Sequence, residues 1–140
     1  MKFSADIVVV AIGENVPATA TEEAKVKFAA AFARLLAALQ QHGPPAIFVR
    51  SSFWPDAVKD GIMRQASTDA GATFVDIAAL GRDGANAARA ERKIEHAGVA
   101  GHPGDQGMRA IADALLAAIQ NRATLRSGPR WQPAPSTKSP

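Results

Sequence analysis

The chain of 140 residues contains no cysteine, which removes disulfides, thiolate nucleophiles and cysteine-ligated metals together. The redox compartment stays open by that route. No apolar run approaches the roughly 20 residues needed to cross a bilayer, and an acid, Asp6, comes before any long apolar stretch. No membrane partner is expected, and cytoplasmic is the default location. Residues 122 to 140 lack acids altogether: they hold Arg122, Arg126, Arg130 and Lys138, leaving twelve basic against thirteen acidic residues before them. The formal charge of +3 and the pI near 9.7 therefore belong to this segment, and the rest of the chain is near neutral. With Ser127, Pro129, Pro133, Pro135, Ser136 and Pro140 and no apolar periodicity, residues 122–140 read as a disordered, basic, Pro/Ser-rich tail. The charge is read as solvated, and no nucleic-acid partner is expected.

What remains, residues 1–121, fits one domain with a modest core, since 47% hydrophobic and 21% charged residues are ordinary for a globular chain. Ile7 to Ile12 is a β-branched run with one alanine, the pattern of a strand covered on both faces of a parallel sheet. Thr19 with Glu22 fits a capping box. Phe28, Phe32, Leu35, Leu36 and Leu39 then recur at helical spacing until His42-Gly43-Pro44-Pro45. Ala46 to Val49 is a second strand, leading to Arg50-Ser51-Ser52-Phe53-Trp54. Pro55 suits the first turn of a helix, with Val58, Ile62, Met63 and Ala66 as its apolar stripe, and Ala72 to Val75 is a third strand stopping at Asp76. From Leu80 to Gly101 the periodicity is weak, with a short helix expected through Ala85 to Arg92. A last helix opens at Gly104 or Asp105 and carries Met108, Ile111, Ala112, Leu115, Leu116 and Ile119 on one face. Strands alternating with helices predict an α/β fold with right-handed crossovers and a parallel sheet between helical layers.

In such a sheet, ligands gather beyond the carboxyl ends of the strands. Three segments are expected there: Gly13-Glu14-Asn15, Ser51-Ser52, and the loop from Asp76 to His102. The run from Asp6 to Asn15, a strand ending in Gly-x-Asn, is similar to one sequence block of the SGNH (GDSL-like) hydrolases. His102-Pro103-Gly104-Asp105-Gln106-Gly107-Met108 ahead of Ile111 and Ala112 is similar to another, in which His-Pro precedes the closing helix. Residues 5 to 120 thus resemble an SGNH esterase. The resemblance implies a three-layer, flavodoxin-like sheet truncated at its amino end, with hydrolysis of short-chain or aryl esters as the activity.

By that resemblance Asn15 donates its side-chain amide to a developing oxyanion, with Gly13 beside it, and His102 acts as general base and acid. Both residue types suit the work. A fixed amide stabilises negative charge without reorganising, and imidazole exchanges protons near neutral pH. The family's opening block, a strand ending in Gly-Asp-Ser with the nucleophilic serine, and its second block with a glycine oxyanion donor have no counterpart here. The acid it keeps three residues before the histidine is Val99. Ser51 and Ser52 follow the middle strand and are the candidate nucleophiles, with Ser51 preferred. Glu95, Asp76, Asp83, Asp105 or a backbone carbonyl are the candidates for orienting the imidazole.

Plainer readings exist for each: serine pairs make turns, Asn15 tolerates a tight turn, and Phe53 and Trp54 serve as core or pocket wall. Glu14 is expected to face solvent, although beside Asn15 it can be an acid. His42 and His96 are expected at the surface. In the family the missing first strand lies beside the Ile7 strand, so that strand's edge is expected to be bare and to pair in a homodimer. The expected ligand is a small-molecule ester, with no cofactor and no metal. The runner-up is a non-catalytic ligand-binding or protein-interaction module of the same fold.

Overall fold

A computed structural model describes residues 5–17, 19–41, 43 and 45–126, with the backbone alone for Leu125 and Arg126. Three parallel strands, β1 (Ile7–Val10), β2 (Ala46–Arg50) and β3 (Thr73–Val75), lie in the order β1-β2-β3. The registers pair Val8 with Ile47 and Val49 with Phe74. Helices α1 (Glu22–Gln40) and α2 (Ala57–Asp69) make the two crossovers, and α5 (Asp105–Arg126) closes the fold. Between β3 and α5 stand the short helices α3 (Ala78–Arg82) and α4 (Ala97–Ala100) and two 3-10 turns, Gly84–Asn86 and Ala88–Ala90.

The pleat of β2 divides the core in two. Ile47 and Val49 pack with Val10, Phe32, Leu36 and Met63 under α1 and α2, while Phe48 packs with Phe53, Val75, Ile77 and Ile111 under α5. The sheet is thus the middle of three layers. Helix α5 covers β2 and β3 but leaves the same face of β1 open: Ile7 is 47% and Val9 42% exposed. Among the described residues β1 has no neighbour on its outer side.

Several local expectations give way to better-placed groups. Helix α1 is capped by Thr21, whose hydroxyl accepts the Ala24 N–H at 3.1 Å, and not by Thr19 paired with Glu22. Thr19 is instead buried, with no partner for its hydroxyl among the described residues. Asp56, one residue beyond Pro55, caps α2 by accepting the Lys59 N–H at 3.0 Å, so Pro55 stands just outside the helix. Strand β1 stops at Val10, ahead of the Gly13 backbone at φ 107°, so Ala11 and Ile12 lie past its end. The helix expected through Ala85 to Arg92 is replaced by the two 3-10 turns, the first held by Asp83 accepting the Ala85 N–H at 2.9 Å. Helix α5 runs to Arg126, past the expected start of the tail at Arg122; Arg122 itself donates to Thr73 Oγ1 at 2.9 Å. Residues 127–140 and His42 lie outside the described residues.

Candidate functional site at the strand ends

The loops at the carboxyl ends of β1 and β2 are tied together by charge. After β1 the chain turns at Gly13, whose carbonyl accepts the Val16 N–H at 3.1 Å. This turn is clamped from α2: the buried Lys59 Nζ donates to the Gly13 carbonyl at 3.4 Å and the Val16 carbonyl at 3.1 Å, and pairs with Asp56 at 3.4 Å. A buried ammonium with three oxygen partners is stably accommodated. Asn15 stands exposed on this clamped turn.

Glu14, beside it, is not the solvent-facing acid expected from its position. Its carboxylate accepts the Phe53 N–H at 2.6 Å and lies 3.0 Å and 3.3 Å from the two terminal nitrogens of Arg50, a fork-to-fork pair. Burial pushes this carboxyl up, but the Arg50 guanidinium and the Phe53 N–H outweigh it. With added pull from His102, the group is held below the usual carboxylate range. Arg50 also donates to the Ser51 carbonyl at 2.9 Å, so one guanidinium fastens the β1 loop to the end of β2.

His102 is exposed and sits on this corner through an aromatic contact. Its ring meets the Trp54 indole edge-to-face at 4.6 Å, and the Trp54 Nε1–H donates to the Gly101 carbonyl at 3.1 Å. Trp54 is a half-exposed wall, and the neighbouring Phe53 belongs to the core. The backbone of the histidine block is pinned from the other side. Ala88 N–H donates to the His102 carbonyl at 2.8 Å, Gly104 N–H donates to the Asn86 carbonyl at 2.9 Å, and Ala87 bridges Pro103. Glu91 then caps α5, accepting the Gln106 N–H at 2.7 Å and the Asp105 N–H at 2.9 Å, which holds its carboxyl below the usual range.

The two serines are turned inward. Ser51, 1% exposed, accepts the Ile77 N–H at 2.8 Å and meets Asp76 Oδ1 at 3.4 Å, so its hydroxyl braces the start of the loop after β3. Ser52, 2% exposed, donates its backbone N–H to Asp60 at 2.8 Å, and its hydroxyl has no partner among the described residues. Neither hydroxyl is bonded to His102 among the described residues.

The expected orienting acids are likewise occupied elsewhere. Asp76 accepts the Ala78 N–H and pairs with Arg64, which together hold it below the usual range; Asp83 caps a 3-10 turn, and Asp105 lies 3.9 Å from Arg92. Glu95 is exposed, and no hydrogen bond or ion pair joins any of the four to the imidazole. His96 caps α4 by accepting the Val99 N–H at 3.3 Å. The strand-end corner therefore brings together Glu14, Arg50, Trp54 and His102, with Asn15 exposed next to Glu14, and neither serine hydroxyl is bonded to any of them. Trp54 was expected as core or pocket wall, Glu14 as a solvent-facing residue, and Arg50 gave no sign of its role in the sequence. For Glu14, its adjacency to Asn15 was the signal that it can serve as an acid.

No family model, curated protein or solved structure matches this chain. The assignment of a function accordingly rests on the corner itself. Among the described residues no group of three or more His, Cys, Asp or Glu side chains could hold a metal ion.

Proposed function

We propose that this chain carries the acid–base and oxyanion half of an SGNH-type ester hydrolase site, acting on short-chain or aryl esters. The observation that supports it best is His102: an exposed imidazole on an indole wall, at the sheet edge that also bears Asn15. His102 takes a proton from the attacking hydroxyl as it adds to the ester carbonyl. Asn15 and the Gly13 N–H receive the charge on the carbonyl oxygen, and His102 returns the proton to the departing alcohol. Ser51 does not serve as nucleophile in this reading, because its hydroxyl is engaged with Ile77 and Asp76. Ser52 is equally out of reach of substrate. The attacking hydroxyl is water, or a hydroxyl delivered along the open side of β1.

That open side also favours a second copy of the chain. Strand β1 is Ile7-Val8-Val9-Val10, without charge, proline or bulge, and its outer edge is unpaired among the described residues. A two-fold axis through the middle of the strand sets apolar residues against apolar residues in an antiparallel pair, so the strand complements itself. The pairing joins two sheets of three strands into one of six.

The test is p-nitrophenyl acetate turnover by the wild type, Ser51→Ala, Ser52→Ala and Asn15→Ala, with fluorophosphonate labelling mapped by mass spectrometry. Asn15→Ala is expected to lose about a hundredfold or more in rate, with neither serine labelled and both serine variants active. Loss of turnover in one serine variant alone would overturn the assignment of the nucleophile. The burial of both serines favours a second reading, a binding module for carbonyl or sugar-like ligands. Saturable binding of an ester with no turnover in any variant would establish it.

A further inference from the structure

We propose that Glu14 is a positioning residue for His102, a fixed counter-charge that steadies the imidazole and compensates the positive charge it gains on taking a proton. The inference rests on the reading of His102 as general base. It stands on the way the corner is assembled. The Glu14 carboxylate is held at 2.6 Å by the N–H of Phe53, and the next residue, Trp54, carries the His102 ring at 4.6 Å. Trp54 is in turn hydrogen-bonded to Gly101, the residue before His102. The carboxylate and the imidazole are thus fastened to consecutive residues of one loop.

The charges that face Glu14 are Arg50, from β2, and His102 itself, which adds to the pull that keeps the carboxyl ionised. Lys59, from α2, is spent on the Gly13 and Val16 carbonyls and on Asp56. Arg50 offsets part of the Glu14 charge, yet it also fixes where the carboxylate sits, and a fixed charge needs no reorganisation during the reaction. None of Asp76, Asp83, Glu95 and Asp105 is hydrogen-bonded or ion-paired to the imidazole. Glu14 fills that role from the loop after β1, held by electrostatics rather than by a direct hydrogen bond.

Glu14→Gln keeps the size and the acceptor for Phe53 but removes the charge, while Glu14→Asp keeps the charge. In Glu14→Gln, kcat for p-nitrophenyl acetate should fall about tenfold with KM within about twofold. The tautomer ratio of His102, read by 15N NMR, should change, and Glu14→Asp should recover part of the loss. Trp54 fluorescence reports whether the corner is intact. If Glu14→Gln does not fold, the double variant Glu14→Gln/Arg50→Met, which removes both charges of the pair, carries the test, and unchanged kcat in it overturns the inference. His102→Ala separates the two claims. If it is inactive while Glu14→Gln keeps full kcat and an unchanged imidazole spectrum, only the role of Glu14 fails. If His102→Ala is fully active, the reading beneath it fails as well.

Discussion

Ser51 and Ser52 are neighbours in sequence with opposite physical situations. Ser51 Oγ satisfies a buried N–H, that of Ile77, so removing it strands a donor in the interior at a cost of about 1–3 kcal/mol. Ser52 Oγ satisfies nothing, and its removal relieves an unpaired buried hydroxyl. Urea denaturation at pH 7 should therefore show Ser51→Ala destabilised by that amount and Ser52→Ala within about 0.5 kcal/mol of wild type, or more stable. Equal losses in the two would contradict the hydrogen-bond assignments. The same contrast explains why residue-level chemistry was hard to read in advance. A serine pair at a strand end looks alike whether its hydroxyls face a substrate or a backbone amide. Past the end of β2, the Ile77 N–H of the loop after β3 holds the Ser51 hydroxyl inside, and Ser52 is buried where its backbone N–H meets Asp60 of α2.

At the scale of elements, the strands and long helices were legible because each carries its own period: Phe32 and Leu36 on α1, Met63 on α2, Ile111 on α5, and the alternation of Ile47, Phe48 and Val49 on β2. Caps and short turns were less so, because their choice depends on neighbours distant in sequence. Thr21 takes the cap expected of Thr19, Asp56 caps α2 one residue after the Pro55 expected in its first turn, and the run from Ala78 to Ala100 is held in part by contacts with the histidine block. The seam between that run and α5 is tight. A Cβ on Gly107 would lie 2.2 Å from the Asn86 carbonyl oxygen. Gly107→Ala, which in an open helix stabilises by about 1 kcal/mol, should here destabilise by about 1–3 kcal/mol in chemical denaturation. A stabilised variant would show that α5 does not seat on the first 3-10 turn.

The molecule as a whole is a three-layer sheet covered unevenly: one face is closed by α1 and α2, while α5 stops short of β1 on the other. Ile7 and Val9, left bare there, and the edge of the same strand, unpaired among the described residues, make β1 the exposed flank of the described fold. A dimer is the expected state in light scattering at micromolar concentration, and Val9→Lys should convert it to a folded monomer. A monomeric wild type would remove the second copy from the account without touching the site. The corner itself was legible only in part. The resemblance pointed to His102 and Asn15 and the sequence to Trp54 as core or pocket wall, while the Glu14–Arg50 pair and the contact of Trp54 with His102 join residues far apart in sequence. The claim that unites these scales is that His102 is the base of an ester hydrolase site, and the initial rate of p-nitrophenyl acetate hydrolysis by His102→Ala tests it most directly. The rate should fall at least about a hundredfold below wild type, and a rate equal to wild type in a folded variant would contradict it.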